Sequence, residues 1–279
     1  MPRFWLKAIY LYIDVTMVHL HPFINTSSKK PFPTHYRNHS PEIMVFVKLK
    51  CPPELRKAII AVSAKPSSPT ISINDTSDNQ EGKEQFKFCI SLRIAETTRP
   101  GQPITICTDG SVFELSHPDG GLDTLVKKTT ILSSTSDSSR RINLGMFMVH
   151  HARPDPPLSH DLKQRSSTRL LTIPAEGEVV ITHDLPLARM FEHEGLLKLT
   201  DVVDETWRLT MASGAIGTSW WCWGGLDGEL EDKRLSAWRE GLNYQSTPKP
   251  TGDEWVIGRD PRELVFQDQT EDASFRFVL

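Results

Sequence analysis

Two places in this sequence gather residue types capable of chemistry. The first is His117-Pro-Asp119, followed 64 residues later by His183. Two imidazoles and one carboxylate form the facial ligand set that holds a non-haem iron and leaves coordination positions open. Asp119-Gly-Gly121 reads as a turn, so His117, Asp119 and His183 form the alternative reading of this chain and not the leading one. The second place is Trp220-Trp221-Cys222-Trp223. Side chains alternate faces along a strand, so Trp221 and Trp223 share one face while Trp220 and Cys222 share the other. Trp220, Trp221 and Trp223 could form a binding platform for a sugar ring or a protein partner. The expectation, however, is that Trp221 and Trp223 face the core. The opposite face would then lie under a helix over Glu229–Arg239 that contributes Trp238.

Other candidates carry less. His150-His151 and His160-Asp161 flank a Pro-rich excursion, and adjacent histidines on a strand point apart. Paired carboxylates occur at Asp201/Asp204 and Glu229/Glu231, but glycosidase chemistry needs two carboxylates facing each other. The chain has no GxSxG elbow, P-loop or GxGxxG. Residues 133–139 hold serines and threonines beside Asp137 and Arg140-Arg141. There a phosphate would add charge to a loop. No catalytic residue and no cofactor are assigned.

The elements that must position these residues are mostly strands. Phe86, Phe88, Ile90, Leu92 and Ile94 recur at every second residue, the signature of a strand with one buried face. Ile104–Cys107 and Val112–Leu115 flank Asp109-Gly110, which predicts a hairpin. Leu170–Ile173 and Glu178–Thr182 flank Pro174 and Gly177, which predicts another. Asn143–His150, Leu196–Val203, Trp207–Met211, Trp221–Trp223, Trp255–Ile257, Leu264–Phe266 and Phe275–Leu279 add further short strands. Helix is expected only over Glu54–Ala61, Leu185–Phe191 and Glu229–Arg239. Short strands at turn-punctuated spacing, without alternating long helices, predict an all-β chain: a two-layer antiparallel β-sandwich, Ig-like, with one or two short helices. The expected organisation is a disordered or extraneous extension over 1–43, a strand/helix segment over 44–62, a low-complexity linker over 63–85 and the sandwich over 86–279.

Two resemblances accompany this reading. The spacing of His117, Asp119 and His183 with Arg189 resembles iron/2-oxoglutarate dioxygenases, and it implies a metal-dependent oxygenase as the alternative function. The strand before Trp207, the run Gly217-Thr-Ser-Trp-Trp-Cys-Trp-Gly224 and the following Leu235 and Trp238 resemble filamentous-fungal β-sandwich proteins over about 86–279. That second resemblance implies the fold and carries no activity, cofactor or site residue.

Charge and cysteine content narrow the function classes. Residues 1–85 carry eleven basic against seven acidic side chains, and residues 86–279 carry 21 against 28. An acidic main body without a basic stripe argues against nucleic acid and anionic membranes as partners. Phe4–Leu20 is apolar but interrupted by Lys7 and Asp14, too short and too charged to span a bilayer. Cys51, Cys89, Cys107 and Cys222 include no closely spaced pair. Cys89, Cys107 and Cys222 sit in strand-like runs and read as buried free thiols of a reducing compartment. The expected location is the cytoplasm, with secretion as the alternative. The leading expectation is a non-catalytic binding or interaction module with an unknown protein or small-molecule partner.

Overall fold

The period of two between Phe86 and Ile94 becomes the longest of the described strands, with Phe88, Ile90 and Leu92 fully buried and Phe86 and Ile94 packed against the same core. The computed structural model describes residues 51–73, 86–114, 130–142, 159–166, 168–185, 190–191, 197–237 and 251–279. Among these, strands account for 44% and no helix reaches seven residues, so the described part of the chain is all-β. In chain order the strands are β1 (Ala58–Pro66), β2 (Thr70–Ser72), β3 (Lys87–Thr97), β4 (Ile104–Cys107), β5 (Thr130–Ser134), β6 (Arg141–Ile142), β7 (Leu170–Ile173), β8 (Val179–Asp184), β9 (Thr206–Met211), β10 (Trp221–Trp223), β11 (Arg234–Ser236), β12 (Trp255–Ile257), β13 (Leu264–Asp268) and β14 (Ser274–Val278).

They form a four-stranded sheet β13-β1-β3-β8, a five-stranded sheet β2-β14-β9-β5-β6, a three-stranded sheet β10-β4-β7 and a two-stranded ribbon β11-β12. One hydrophobic cluster joins the three larger sheets. It takes Ile60 and Leu92 from the first, Trp207 and Phe275 from the second, and Ile106 and Trp221 from the third. The pairings are not uniformly antiparallel: β1–β13, β2–β14 and β11–β12 run parallel.

Several expectations yield to tertiary pairing. The segment Glu54–Ala61 is not a helix. A single 3-10 turn at Pro53–Leu55 gives way to β1, whose β-branched run Ile59-Ile60 suits a strand buried on both faces. β1 and β2 occupy the segments 44–62 and 63–85 that the sequence set apart from the main body. β1 lies between β13 and β3, inside a sheet. Asp109-Gly110 does turn, with Gly110 at φ 72°, but Val112 and Phe113 do not return as a strand. Both edges of β4 are already taken by β10 and β7. The turn at Pro174–Gly177 likewise makes no hairpin, because β7 pairs with β4 while β8 pairs with β3. Leu196–Val203 is broken by a 3-10 turn at Leu199–Asp201. The helix expected over Glu229–Arg239 is replaced by turns followed by β11. There the Glu229 carboxylate accepts the Gly225 N–H at 2.9 Å, and the Leu230 N–H reaches Gly225 O at 3.0 Å. Local bonds of this kind compete with a helix for the same backbone groups. Residues 44–50, 143–150 and Trp238 lie outside the described residues.

Candidate functional site

The tryptophan run is built inward from Thr218. The Thr218 hydroxyl lies 2.6 Å from Cys107 O and 2.7 Å from Trp220 O, and it accepts the Trp220 N–H. It thereby fixes how the chain enters β10 beside β4. Trp221 and Trp223 then face the main core, meeting edge-on with ring centroids 5.2 Å apart. The Arg99 guanidinium lies 5.3 Å from the Trp223 ring centroid, and that of Arg259 lies 5.4 Å from Trp221. Arg259 is itself held by both carboxylate oxygens of Glu263, at 2.8 and 3.2 Å. The Trp221 indole N–H donates to Asp260 O at 2.8 Å.

Trp220 and Cys222 face the other way, into a second cluster with Cys107, Leu162, Leu230 and Leu235. The cover over this face is the β11–β12 ribbon and the loop around Leu162. The Trp220 indole donates to Ser236 O at 2.8 Å, on β11. Trp220, Trp221 and Trp223 are 3%, 0% and 9% exposed, so these indoles present no open face for stacking. Burial pushes the Cys107 and Cys222 thiols up to about 12, with nearby Asp109 adding to the effect at Cys107.

The histidine candidates separate. His117, Asp119 and Arg189 lie outside the described residues, as do His150 and His151. His183 is on β8, 1% exposed, with its Nε2 3.0 Å from Val112 O. This imidazole is part of the core and ties β8 to the segment after the Asp109-Gly110 turn. Asp161 is also structural: its Oδ1 accepts the N–H groups of Lys163 and Leu235 at 3.1 and 3.0 Å, joining the Leu162 turn to β11. Among the described residues, no three His, Cys, Asp or Glu side chains are grouped to hold a metal ion.

The Ser/Thr-rich segment 133–139 with Arg140 and the Asp201/Asp204 pair, both noted in the sequence, meet where the β5–β6 hairpin adjoins the start of β9, around Glu205, which the sequence did not single out. The meeting point is a shallow depression of about 410 Å³, lined by Thr135, Ser136, Arg140, Asp201, Asp204 and Glu205 among others. Glu205 is its centre. One carboxylate oxygen, Oε1, accepts from the Ser134 hydroxyl, from the Ser136 hydroxyl at 2.9 Å and from Arg140 at 2.8 Å. The other, Oε2, lies 2.7 Å from the same guanidinium, and the Glu205 side chain is only 13% exposed. Arg140 also donates to Asp201 O at 2.8 Å and lies 5.9 Å from the Trp207 ring centroid. The hairpin tip is closed by Asp137, whose Oδ1 accepts from both the hydroxyl and the N–H of Ser139. Those bonds hold the Asp137 carboxyl below the usual range.

Opposite the tip, Asp204 adopts φ 61°, a left-handed conformation that Asp tolerates better than most residues. β14 fixes it there: the Asp204 N–H donates to Phe277 O at 2.8 Å, and Arg276 donates to Asp204 O at 3.0 Å. The signals that could have pointed here were the Ser/Thr-rich tip and Arg140. Their partner Glu205 lies 65 to 71 residues away and belongs to no motif.

Among the described residues no helix is long and apolar enough to cross a membrane. No family model, curated protein or solved structure matches the chain, so the reading of this site rests on its own geometry.

Proposed function

We propose that this chain is a non-catalytic interaction module, a two-layer β-sandwich of the kind found in filamentous fungi, that binds a protein partner at the Glu205 depression. The observation that carries the reading is the clasp itself. Arg140 is neutralised by Glu205, so the rim's charge is set by the exposed carboxylates of Asp201, which accepts the Lys198 N–H at 3.1 Å, and Asp204, 3.8 Å from the Arg276 guanidinium. A rim of that sign on a rigid sheet end suits a cationic side chain of a partner, since complementary charge steers encounter and sets register. Rigid strands presenting functional loops are the usual arrangement for binding sites. The acidic main body supports a protein partner over nucleic acid. The free thiols of Cys107 and Cys222 support a reducing compartment, hence a cytoplasmic location.

The test is a peptide array of varied charge probed with the wild-type chain and with the double variant Asp201→Arg/Asp204→Arg. Retention of Lys/Arg-containing peptides by the wild type, lost in the variant and weakened by salt, is the expected result. Equal retention by both proteins would remove the depression as the binding surface.

A further inference from the structure

We propose that Ser136 is a phosphorylation site and that its phosphate unlocks the Glu205 clasp by taking Arg140 away from the carboxylate. The end of β5 and the β5–β6 connection together carry six hydroxyl residues, Ser133, Ser134, Thr135, Ser136, Ser138 and Ser139, and their surroundings differ. Ser134 is 2% exposed and out of reach of a modifying enzyme. Thr135 spends its hydroxyl on Thr206 O, and Ser139 spends its own on Asp137. Ser136 is the exposed one whose hydroxyl touches Glu205, at 2.9 Å, on the same oxygen that Arg140 holds at 2.8 Å.

The step balances as an ordinary phosphoryl transfer. A nucleoside triphosphate donates its γ-phosphoryl group through a serine/threonine kinase. The Ser136 Oγ–P bond forms, the terminal anhydride bond breaks, the nucleoside diphosphate leaves and the hydroxyl proton passes to the kinase and then to solvent. Two consequences follow at once. The donor that Glu205 accepted is gone, and a group carrying about −1.5 to −2 charges stands beside its carboxylate. Asp201 and Asp204 line the same depression and Asp137 is the next residue, so repulsion is the dominant local effect. The cation on the same carboxylate oxygen as Ser136 is Arg140, and a guanidinium pairs with phosphate through two parallel, charge-assisted hydrogen bonds. Once Arg140 moves, Asp201 O and the Trp207 ring lose the group that packs the 201–206 segment against the hairpin. The depression then widens, whatever it binds.

The experiment uses the full chain with phosphoserine installed during translation at position 136 or, in a second protein, at position 138. Ser138 sits at the same exposed tip. Hydrogen exchange of the 201–206 amides is expected to accelerate about tenfold or more with phosphate at 136, as local opening becomes easier. Phosphate at 138 should leave those amides close to the unmodified rate. Phosphorus NMR titration supplies the second reading: Arg140→Gln should raise the phosphate's second pKa at 136 and not at 138. A third arm treats the unmodified chain with serine/threonine kinases and magnesium–ATP and maps the product by fragmentation mass spectrometry. Label on Ser136 supports the proposal. It is overturned if label is confined to Thr135, Ser138 or Ser139, if the two phosphoproteins exchange alike, or if Arg140→Gln leaves the phosphate's titration unchanged.

Discussion

At the residue scale, Trp220 and Trp221 are structural and each is secured by a different device. Trp221 is fully buried, bonded through its indole to Asp260 O and flanked by Arg259 and Trp223. Truncating it removes a large apolar volume that rigid strands cannot close over, so Trp221→Ala should cost about 3–5 kcal/mol. Trp220 depends on a glycine. A Cβ built on Gly258 would stand 1.8 Å from the Trp220 Nε1 and 2.3 Å from its Cδ1. The Gly258 N–H also donates to Ser236 O, the same carbonyl that takes the Trp220 indole. Gly258→Ala therefore cannot be absorbed by a flexible side-chain tip and must push the ring or the β12 end aside. Thermal unfolding of Gly258→Ala and Trp221→Ala beside wild type should show both melting well below it. A wild-type melting point for either would contradict the packing described here.

At the element scale, the β11–β12 ribbon acts as a cover. It closes the outer face of β4 and β10, where Cys107 and Cys222 sit with Trp220 and Leu235. Those two thiols should resist alkylation at neutral pH until the ribbon lifts or the chain unfolds, whereas the partly exposed Cys51 and Cys89 react first. The pH dependence has a definite sign. An ordinary thiol loses its proton near pH 9.0, while in the folded chain burial raises Cys107 and Cys222 to about 12. The unfolded state therefore releases protons that the folded state keeps. The thiols' contribution to stability is complete below about pH 9 and is lost as the pH rises toward 12. Replacing both residues with alanine should flatten that alkaline decline in denaturant titrations. An unchanged slope between pH 9 and 12 would mean that the thiols are not protected as described.

At the scale of the whole molecule, the first described strand is as central as any. β1 pairs along its length with β3 and in parallel with β13, and it buries Ala58, Ile60 and Val62 in the main cluster. A chain beginning at Phe86 would lack β1 and β2 and would leave β3 and β13 with open edges and an uncovered apolar face. It should show no cooperative thermal transition, whereas a chain beginning at Cys51 should keep one. Cooperative unfolding of the 86–279 fragment would support the boundary that composition alone suggested. The main cluster draws on strands from both ends of the described residues. One example is the Ala64 N–H, which donates to the Thr270 hydroxyl 206 residues away. Contacts of such separation slow folding, because the chain must close large loops before they form.

What the sequence by itself determined is local: which face each residue of an alternating run presents, though not every strand, since β1 and β11 read as helix and β2 as linker. The alternation in Phe88–Leu92, Trp207–Met211 and Trp221–Trp223 is a property of extended backbone, and it holds whichever strands lie alongside. The all-β class follows from the same pattern. Only the tertiary structure decided the partners. The Asp109-Gly110 and Pro174–Gly177 turns both looked like hairpins, yet each carries the chain away from the strand it leaves, because distant strands satisfy those edges first. Glu229–Arg239 has helix-forming residues, and the turn bonds of Glu229 and the pairing of β11 with β12 outweigh that modest preference. The clasp is the clearest case. Ser134, Ser136 and Arg140 meet Glu205 only because β5 pairs with β9. A register between two strands is set by the packing of whole faces, and no spacing within either segment records it.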